Sequence, residues 1–147
     1  MFGKMFNKRM KQAQQNLKNV ENRDLMEAIV GGCLLIAAAD GEIEQEETDK
    51  LDQLLRSNQR LQGFGGEITQ TIQRFRDQLE AGFQVGRLQI LREIGDIASD
   101  REHAEEVLVN MITIAGSDGE FEDEEVVVIK EVAGKLGLNP TDYGLPA

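Results

Sequence analysis

An approximate internal repeat limits the folds available to this 147-residue chain more than any other feature. Residues 40–47 (DGEIEQEE) align with residues 118–125 (DGEFEDEE) at an offset of 78 residues, and we call these segments the first and second acidic turns. Apolar residues with helical spacing flank each turn, so each copy predicts a helix–acidic turn–helix unit. Two such units, around residues 24–56 and 100–136, can pack about an approximate two-fold axis that brings the acidic turns together. The flanks align as Leu34 with Ile112, Ile36 with Ile114, Ala37 with Ala115, Leu51 with Ile129 and Leu54 with Val132.

Helical periodicity continues outside the repeat. Proline occurs only at positions 140 and 146, so long helices are permitted elsewhere. The segment from Asn22 to Ala39 is apolar on nearly all sides, which predicts a helix at the centre of the fold. Its Gly31 and Gly32 lower helix propensity, and we expect them to allow close contact between helices. No segment alternates with a period of two, so the predicted class is all-α, with two pseudo-repeated units and connecting helices in one compact bundle. Further helices are predicted to about residue 56 and over residues 67–79, 85–98, 104–115 and 126–136.

Local residues predict where these helices begin and end. Ser99 and Glu102 have the spacing of a capping box, in which each side chain bonds a free backbone amide of the other residue. Residues 57–66 contain three glycines and are predicted to form a loop. Gly137 predicts a left-handed helix end, and Asn139–Pro140 predicts the start of a short final turn.

Charge is distributed unevenly along the chain. The net charge is −11, yet residues 1–23 hold six basic residues against a single acid. Apolar residues recur there at steps of three and four, so residues 1–21 are predicted to form a basic amphipathic arm before a helical domain at residues 22–147. This arm either contacts a membrane surface or a partner helix, or packs on the body of the protein. The acidic body would repel nucleic-acid phosphates and favours cations or basic proteins.

The sequence lacks the residue combinations that catalytic sites need, and we predict no enzymatic activity. Cys33 is the single cysteine and lies in an apolar run, which predicts a buried, unreactive thiol. His103 is the single histidine, and we expect it to be exposed in the first turn of a helix, with no partner for a zinc site. Residues 63–66 are rich in glycine but lack the preceding strand and the lysine of a phosphate loop. No apolar stretch is long enough to span a bilayer, so we expect a cytoplasmic protein.

Residue types also predict the conformation of the acidic turns. Gly41 supplies a positive φ that redirects the chain, and Asp40 can accept hydrogen bonds from the loop amides. The apolar residue two positions after the glycine is Ile43 in the first copy and Phe121 in the second. We expect both to face the core and to fix the turns against it.

Each acidic turn matches the second half of a calcium-binding EF-hand loop. Ile36 and Ala38, or Ile114 and Gly116 in the second copy, occupy the positions of the first two acidic ligands, so neither turn can enclose Ca²⁺ alone. At least five acids in eight residues are more than helix capping requires. Binding of a divalent cation (Ca²⁺, Mg²⁺ or Mn²⁺) or of a basic partner is therefore favoured over a purely structural and solubilising role.

Three segments carry a resemblance to a known family. Residues 37–47 (AAADGEIEQEE), residues 115–125 (AGSDGEFEDEE) and the ending at residues 136–145 (LGLNPTDYGL) resemble the tellurite-resistance TerB family. The resemblance extends over residues 25–145. It implies an all-helical fold of two repeats without established catalytic activity, from gene clusters that give resistance to tellurite, some phages and colicins.

The resemblance also implies a site, partners and a function. The implied partners are membrane and calcium-binding resistance proteins at the inner face of the membrane. The basic arm is consistent with that location, and peripheral membrane contact through residues 1–20 is an expectation from the arm's own residues. The expected function is that of a non-enzymatic tellurite-resistance or stress-response protein that binds divalent cations through its twin acidic turns in a membrane-associated complex. The alternative is a metal-independent acidic adaptor that holds a basic protein, with the N-terminal arm contacting a membrane or a partner helix. The implied metal contacts are Asp40, Glu42, Glu46, Glu47, Asp118, Glu120, Glu124 and Glu125.

Overall fold

The computed structural model describes residues 22–116 and 121–146, and this part of the chain is all-α, as predicted. It contains helices joined by short turns, and no strand occurs among the described residues. The predicted arm at residues 1–21, the centre of the second acidic turn and the last residue lie outside this part. The helices are α1 (Arg23–Ala37), α2 (Gln45–Arg56), α3 (Gly66–Ala81), α4 (Phe83–Asp96), α5 (Arg101–Ala115) and α6 (Asp123–Leu136), with 3₁₀ helices at Gln59–Phe64 and Pro140–Tyr143.

Helix α1 is the centre of the bundle, because it packs against each of the other five α-helices and most extensively against α5. Its residues from Ala28 to Ile36 are all buried. A Cβ atom at Gly31 would lie 2.8 Å from the side chain of Ile90, and one at Gly32 would lie 2.6 Å from the sulfur of Met111. Both glycines therefore allow the close helix contacts that the sequence predicted, and a larger residue at either position would force the facing side chain to move.

The cap predicted at Ser99 is wrong. Asp100 occupies the N-cap position of α5, and its carboxylate accepts a hydrogen bond from the backbone N–H of His103 at 3.2 Å. The negative charge of a carboxylate at this position also interacts favourably with the positive end of the helix dipole. This explains why Asp100, and not the neighbouring Ser99, caps the helix. His103, expected to be exposed, is half-buried, and its ring lies 3.6 Å from the Asp100 carboxylate.

Residues 57–66 are more ordered than the predicted loop. Asn58 accepts a hydrogen bond from the N–H of Arg60 at 2.9 Å and starts the 3₁₀ helix at Gln59–Phe64, in which Leu61 is buried. The Asn58 side chain also donates to the side chain of Asn110 on α5 at 3.1 Å. This connection ties the segment between the two repeat units to the core.

The ends predicted for the last helices are confirmed. Gly137 ends α6 with a φ of +71°, and Asn139 accepts a hydrogen bond from the N–H of Thr141 at the start of the final 3₁₀ helix. The fully buried Tyr143 donates its hydroxyl proton to Glu105 on α5 at 2.5 Å. The C-terminal segment is therefore fixed to the same side of the bundle as α5 and α6.

Candidate functional site

The first acidic turn has the predicted conformation. Helix α1 ends at Ala37, and Gly41 has a φ of +88°, a conformation that other residues rarely adopt. The Asp40 carboxylate accepts a hydrogen bond from the N–H of Glu42 at 3.0 Å, which is the expected Asx turn. Glu44 then occupies the N-cap position of α2 without forming a side-chain capping bond. One acid thus shapes the turn, while the acid at the N-cap position forms no capping bond with its side chain.

The apolar residue of each turn faces the core, as predicted. Ile43 and Phe121 are partly buried and pack against the hydrophobic core. Phe121 lies close over Gly116, where an added Cβ would be 2.8 Å from the aromatic ring. The position that an EF-hand would give to its second acidic ligand is therefore covered by an aromatic side chain in the second copy.

The second acidic turn uses its last glutamate differently. Glu122 and Glu125 form a capping box at the start of α6, in which the Glu122 N–H donates to Glu125 Oε1 at 2.9 Å. Glu125 aligns with Glu47 in the repeat, but α2 begins without a side-chain cap. The two turns therefore share a sequence pattern while their equivalent glutamates have different local partners.

One cavity brings the two turns together. It has a volume of about 190 Å³ and lies between the ends of α1 and α5 and the starts of α2 and α6, and we call it the inter-turn cavity. Three pairs related by the offset of 78 residues line it, so both members of each pair face the same space. Its walls combine apolar side chains with three charged groups, two glutamates and a lysine. The lining residues are Ile36 with Ile114, Ala37 with Ala115 and Glu47 with Glu125, together with Lys50, Leu51 and Leu54.

The pKa of the half-buried Glu47 is raised above its ordinary value. Burial raises its pKa first, and the neighbouring carboxylates Glu44, Asp40, Glu122 and Glu42 raise the pKa further. Three of these neighbours belong to its own turn, whereas Glu122 belongs to the second acidic turn. Because the charge of one turn affects a proton equilibrium in the other, the turns form one electrostatic unit.

The structure brings some of the predicted metal contacts together and leaves others apart. Glu47 and Glu125 line the inter-turn cavity, while Asp40 and Glu124 line a separate open groove between α4 and α6. Among residues 22–116 and 121–146, no three Asp, Glu, His or Cys side chains converge as a metal site requires. Asp118 and Glu120 lie outside those residues, and the remaining predicted contacts, Glu42 and Glu46, are exposed.

Lys50 was not among the predicted site residues, although it lines the inter-turn cavity beside the two glutamates. Its position three residues after Glu47 in α2 places both on one face of the helix, so the spacing could have revealed it. The ammonium group supplies positive charge to a space in which two carboxylates meet.

Cys33 is fully buried in α1, and burial raises the pKa of its thiol to about 12. Because the thiolate is the reactive form, this cysteine is not activated as a nucleophile or as a metal ligand at neutral pH. The buried, unreactive thiol expected from the sequence is therefore confirmed. None of the helices in the described part of the chain combines the length and apolar character needed to cross a bilayer.

These observations define a class of protein: an acidic, all-helical domain in which Glu47 and Glu125, at equivalent positions of the sequence repeat, line one cavity. The sequence pattern of the family described as "Tellurite resistance protein TerB" matches residues 26–145. The chain therefore belongs to the TerB family, which confirms the resemblance seen in its twin turns and C-terminal segment. Searches of curated proteins and of solved structures found no match.

Proposed function

We propose that this TerB-family protein is a non-enzymatic stress-response protein whose two acidic turns together bind a divalent cation. The observation that carries the proposal is the inter-turn cavity, where Glu47 and Glu125 face the same space from equivalent positions of the two units. The raised pKa of Glu47, caused by burial and by carboxylates of both turns, supports it. A bound cation would offset this repulsion and lower the free energy of the folded state.

The donor chemistry favours hard cations. Carboxylate oxygens are the ligands that Ca²⁺, Mg²⁺ and Mn²⁺ prefer, and zinc would more often recruit histidine or cysteine. Ile36, at the first ligand position of an EF-hand, lies buried inside α1, so the first turn cannot supply a complete ligand set. We therefore propose a site with few protein ligands from each turn and with water completing the coordination shell.

Thermal unfolding with each cation tests this proposal. We expect Ca²⁺, Mg²⁺ or Mn²⁺ to raise the Tm of the wild type, and the Glu47→Gln/Glu125→Gln double variant to lose that rise. Glutamine keeps a side-chain acceptor for the capping box of α6, so loss of the rise would not reflect a lost cap. Asp40→Asn/Asp118→Asn tests the aspartates that begin each turn in the same way.

The matched control removes two acids elsewhere. Asp77 and Asp96 are exposed on α3 and α4, and Asp77→Asn/Asp96→Asn removes the same charge without touching either turn. This control should keep the cation-induced rise. An equal loss in both double variants would mean that the cation acts only through net charge, and no rise with any cation in the wild type would refute the proposed site.

A second candidate function is a metal-independent acidic adaptor that holds a basic protein. It is favoured by the lack of a convergent group of three metal ligands among the described residues, and by the net charge of −11. In that case cations and chelators would not change the Tm. The protein would bind a basic peptide, and this binding would weaken as salt is added. Persistence of that binding at high salt would exclude an electrostatic adaptor.

We propose that the protein acts at the inner face of the membrane, in a complex with membrane and calcium-binding resistance proteins. The excess of basic residues in residues 1–23 supports this location, because cytoplasmic leaflets carry anionic lipids that attract basic segments. Co-sedimentation of the full chain with vesicles of phosphatidylserine and phosphatidylcholine tests it. Vesicle binding should fall when Lys4 and Lys8 are replaced by glutamate. Unchanged vesicle binding in this variant would exclude the N-terminal arm as the membrane-contacting segment.

A further inference from the structure

A groove between α4 and α6 is separate from the inter-turn cavity. It is open, has a volume of about 510 Å³ and includes the backbone turn that follows α1. Val127 lines this groove with 65% of its surface exposed, so the groove presents an apolar side chain to solvent. Phe83 and Val128 extend the apolar surface, and both are partly buried against the core. The complete lining is Ala39, Asp40, Gly41, Phe83, Gln84, Arg87, Glu124, Val127, Val128 and Glu131.

The rim of this groove is acidic. Asp40 and Glu124 are exposed at its edge, one from each repeat unit. Arg87 is ion-paired with Glu131, so the basic residue of the lining is already neutralised by an acid of the same groove. An apolar floor with a negatively charged rim is complementary to an amphipathic helix that carries large apolar residues on one face and lysines beside them.

We propose that this groove is the docking site of the chain's own N-terminal segment, residues 1–21. This segment contains five basic residues against one acid, and Phe2, Phe6 and Met10 lie at helical spacing near its start. Its phenylalanines and methionine match the apolar floor, and Lys4 and Lys8 match the acidic rim. The proposal does not depend on cation binding by the turns, and it describes the protein when no membrane is present.

The lengths of chain agree with this arrangement. Helix α1 begins at Arg23 and has 15 residues, so the groove at its C-terminal end lies about 22 Å from the point where the segment joins the body. Asp24 and Asp96 line one cavity, which places the end of α4 beside the start of α1 and the start of α4 at the groove. A helix running back from residue 22 would place Phe6 about 24 Å away, which is level with the groove.

A nitroxide spin label tests the proposal in the full-length chain. Asn7→Cys introduces the only reactive thiol, because Cys33 is fully buried and its pKa is raised to about 12. Paramagnetic broadening in NMR spectra should then be strongest for the amides of Val127, Val128 and Arg87. The amides on the exposed side of α3, such as that of Gln73, should be unaffected. Broadening on another face, or none on the body, would overturn the proposal.

Two matched variants separate docking in the groove from general attraction. Val127→Asp places a charge in the groove, whereas Val85→Asp makes the same change at a valine that is 64% exposed and lies outside the groove lining. Neither should lower the Tm appreciably, because both side chains already face solvent. We expect the broadening to fall at least severalfold in Val127→Asp and to persist in Val85→Asp. Equal broadening in both variants would refute a specific site.

Mixed samples distinguish docking within one chain from docking between two copies. Spin-labelled protein without isotopes is mixed with ¹⁵N-labelled protein that lacks the spin label, so only contacts between copies broaden the signals. We expect no broadening at the groove in this mixture. Broadening at Val127 in the mixture would mean that a second copy supplies the segment, and the proposal of docking in the same chain would then be wrong.

Discussion

The two acidic turns are similar in sequence but differ in how they use their carboxylates. In the first turn Asp40 forms the Asx turn, α2 begins without a side-chain cap, and the pKa of Glu47 is raised by burial and by surrounding acids. In the second turn the equivalent Glu125 takes part in a capping box with Glu122. The charge of Glu47 in the first turn is therefore unfavourable in the folded state, whereas the equivalent Glu125 in the second turn stabilises the start of α6.

This difference shows that equivalent residues of an internal repeat can have different roles, here charge accumulation in the first turn and helix capping in the second. A carboxylate that is destabilised by neighbouring carboxylates gains free energy when a cation binds beside it. A carboxylate in a capping box stabilises its helix in the absence of a cation. If the proposed cation site exists, the first turn would contribute most of the gain in stability upon binding. The second turn would contribute a fixed oxygen at the opposite wall.

The largest expected effects come from the apolar residues that fix the two turns. Phe121→Ala should reduce the free energy of unfolding by about 2 kcal/mol and Ile43→Ala by about 1 kcal/mol, because both side chains are only partly buried and the ring is larger. Urea denaturation followed by circular dichroism measures both. A greater loss for Ile43→Ala would mean that the first turn, not the second, is the more tightly fixed of the two.

Alanine at the two equivalent glutamates should have opposite effects in the absence of cations. Glu125→Ala removes the capping box of α6 and should cost about 1 kcal/mol. Glu47→Ala removes a charge that burial and four carboxylates disfavour, so it should raise the Tm at neutral pH in the presence of chelator. Destabilisation of similar size in both variants would remove the distinction between the turns.

The pH dependence of stability should reveal Glu47. Because its pKa is above the ordinary value of 4.5 in the folded protein, the folded state binds this proton more tightly than the unfolded chain does. The contribution of Glu47 to stability therefore increases as pH falls through the folded pKa toward 4.5, and decreases as pH rises through the same window. Glu47→Gln should lose this part of the pH profile of Tm measured with chelator. Asp96→Asn, near the other end of α1, should retain it.

The smallest expected effect concerns Lys50. Its ammonium group lines the inter-turn cavity and would compete with a bound cation for the two glutamates. Lys50→Gln should therefore tighten cation binding by about two- to fivefold, which corresponds to the strength of an exposed ion pair. Isothermal titration calorimetry with the cation that raises the Tm most would measure the change. Weaker binding in Lys50→Gln would show that the lysine supports the site.

Much of the fold follows from local sequence patterns. The order of the helices and the central position of α1 were predicted, and the predicted helix ends agree with the structure to within three residues. Periodicity and glycine position determine these features within single segments, so no knowledge of distant contacts is needed. The same holds for the Asx turn at Asp40 and the helix end at Gly137.

Other features depend on competition or on distant contacts and could not be predicted. Ser99 and Asp100 are both good capping residues that compete for the same helix start, and the more favourable interaction of the Asp100 charge with the helix dipole decides between them. The 3₁₀ helix at Gln59–Phe64 is tied to the core by the bond between Asn58 and Asn110, which are 52 positions apart. The repeat indicated that the two turns could lie near each other, but the different partners of Glu47 and Glu125 arise from single neighbouring side chains.

The burial of Cys33 should protect the folded protein from oxidation of its thiol. Oxidation to sulfenic acid and beyond requires an accessible thiolate, and the single thiol of this chain is neither accessible nor deprotonated at neutral pH. Met26 and Met111, the methionines of the core, are also fully buried. We therefore expect the folded domain to keep its structure in the presence of oxidants that modify accessible thiols and methionines.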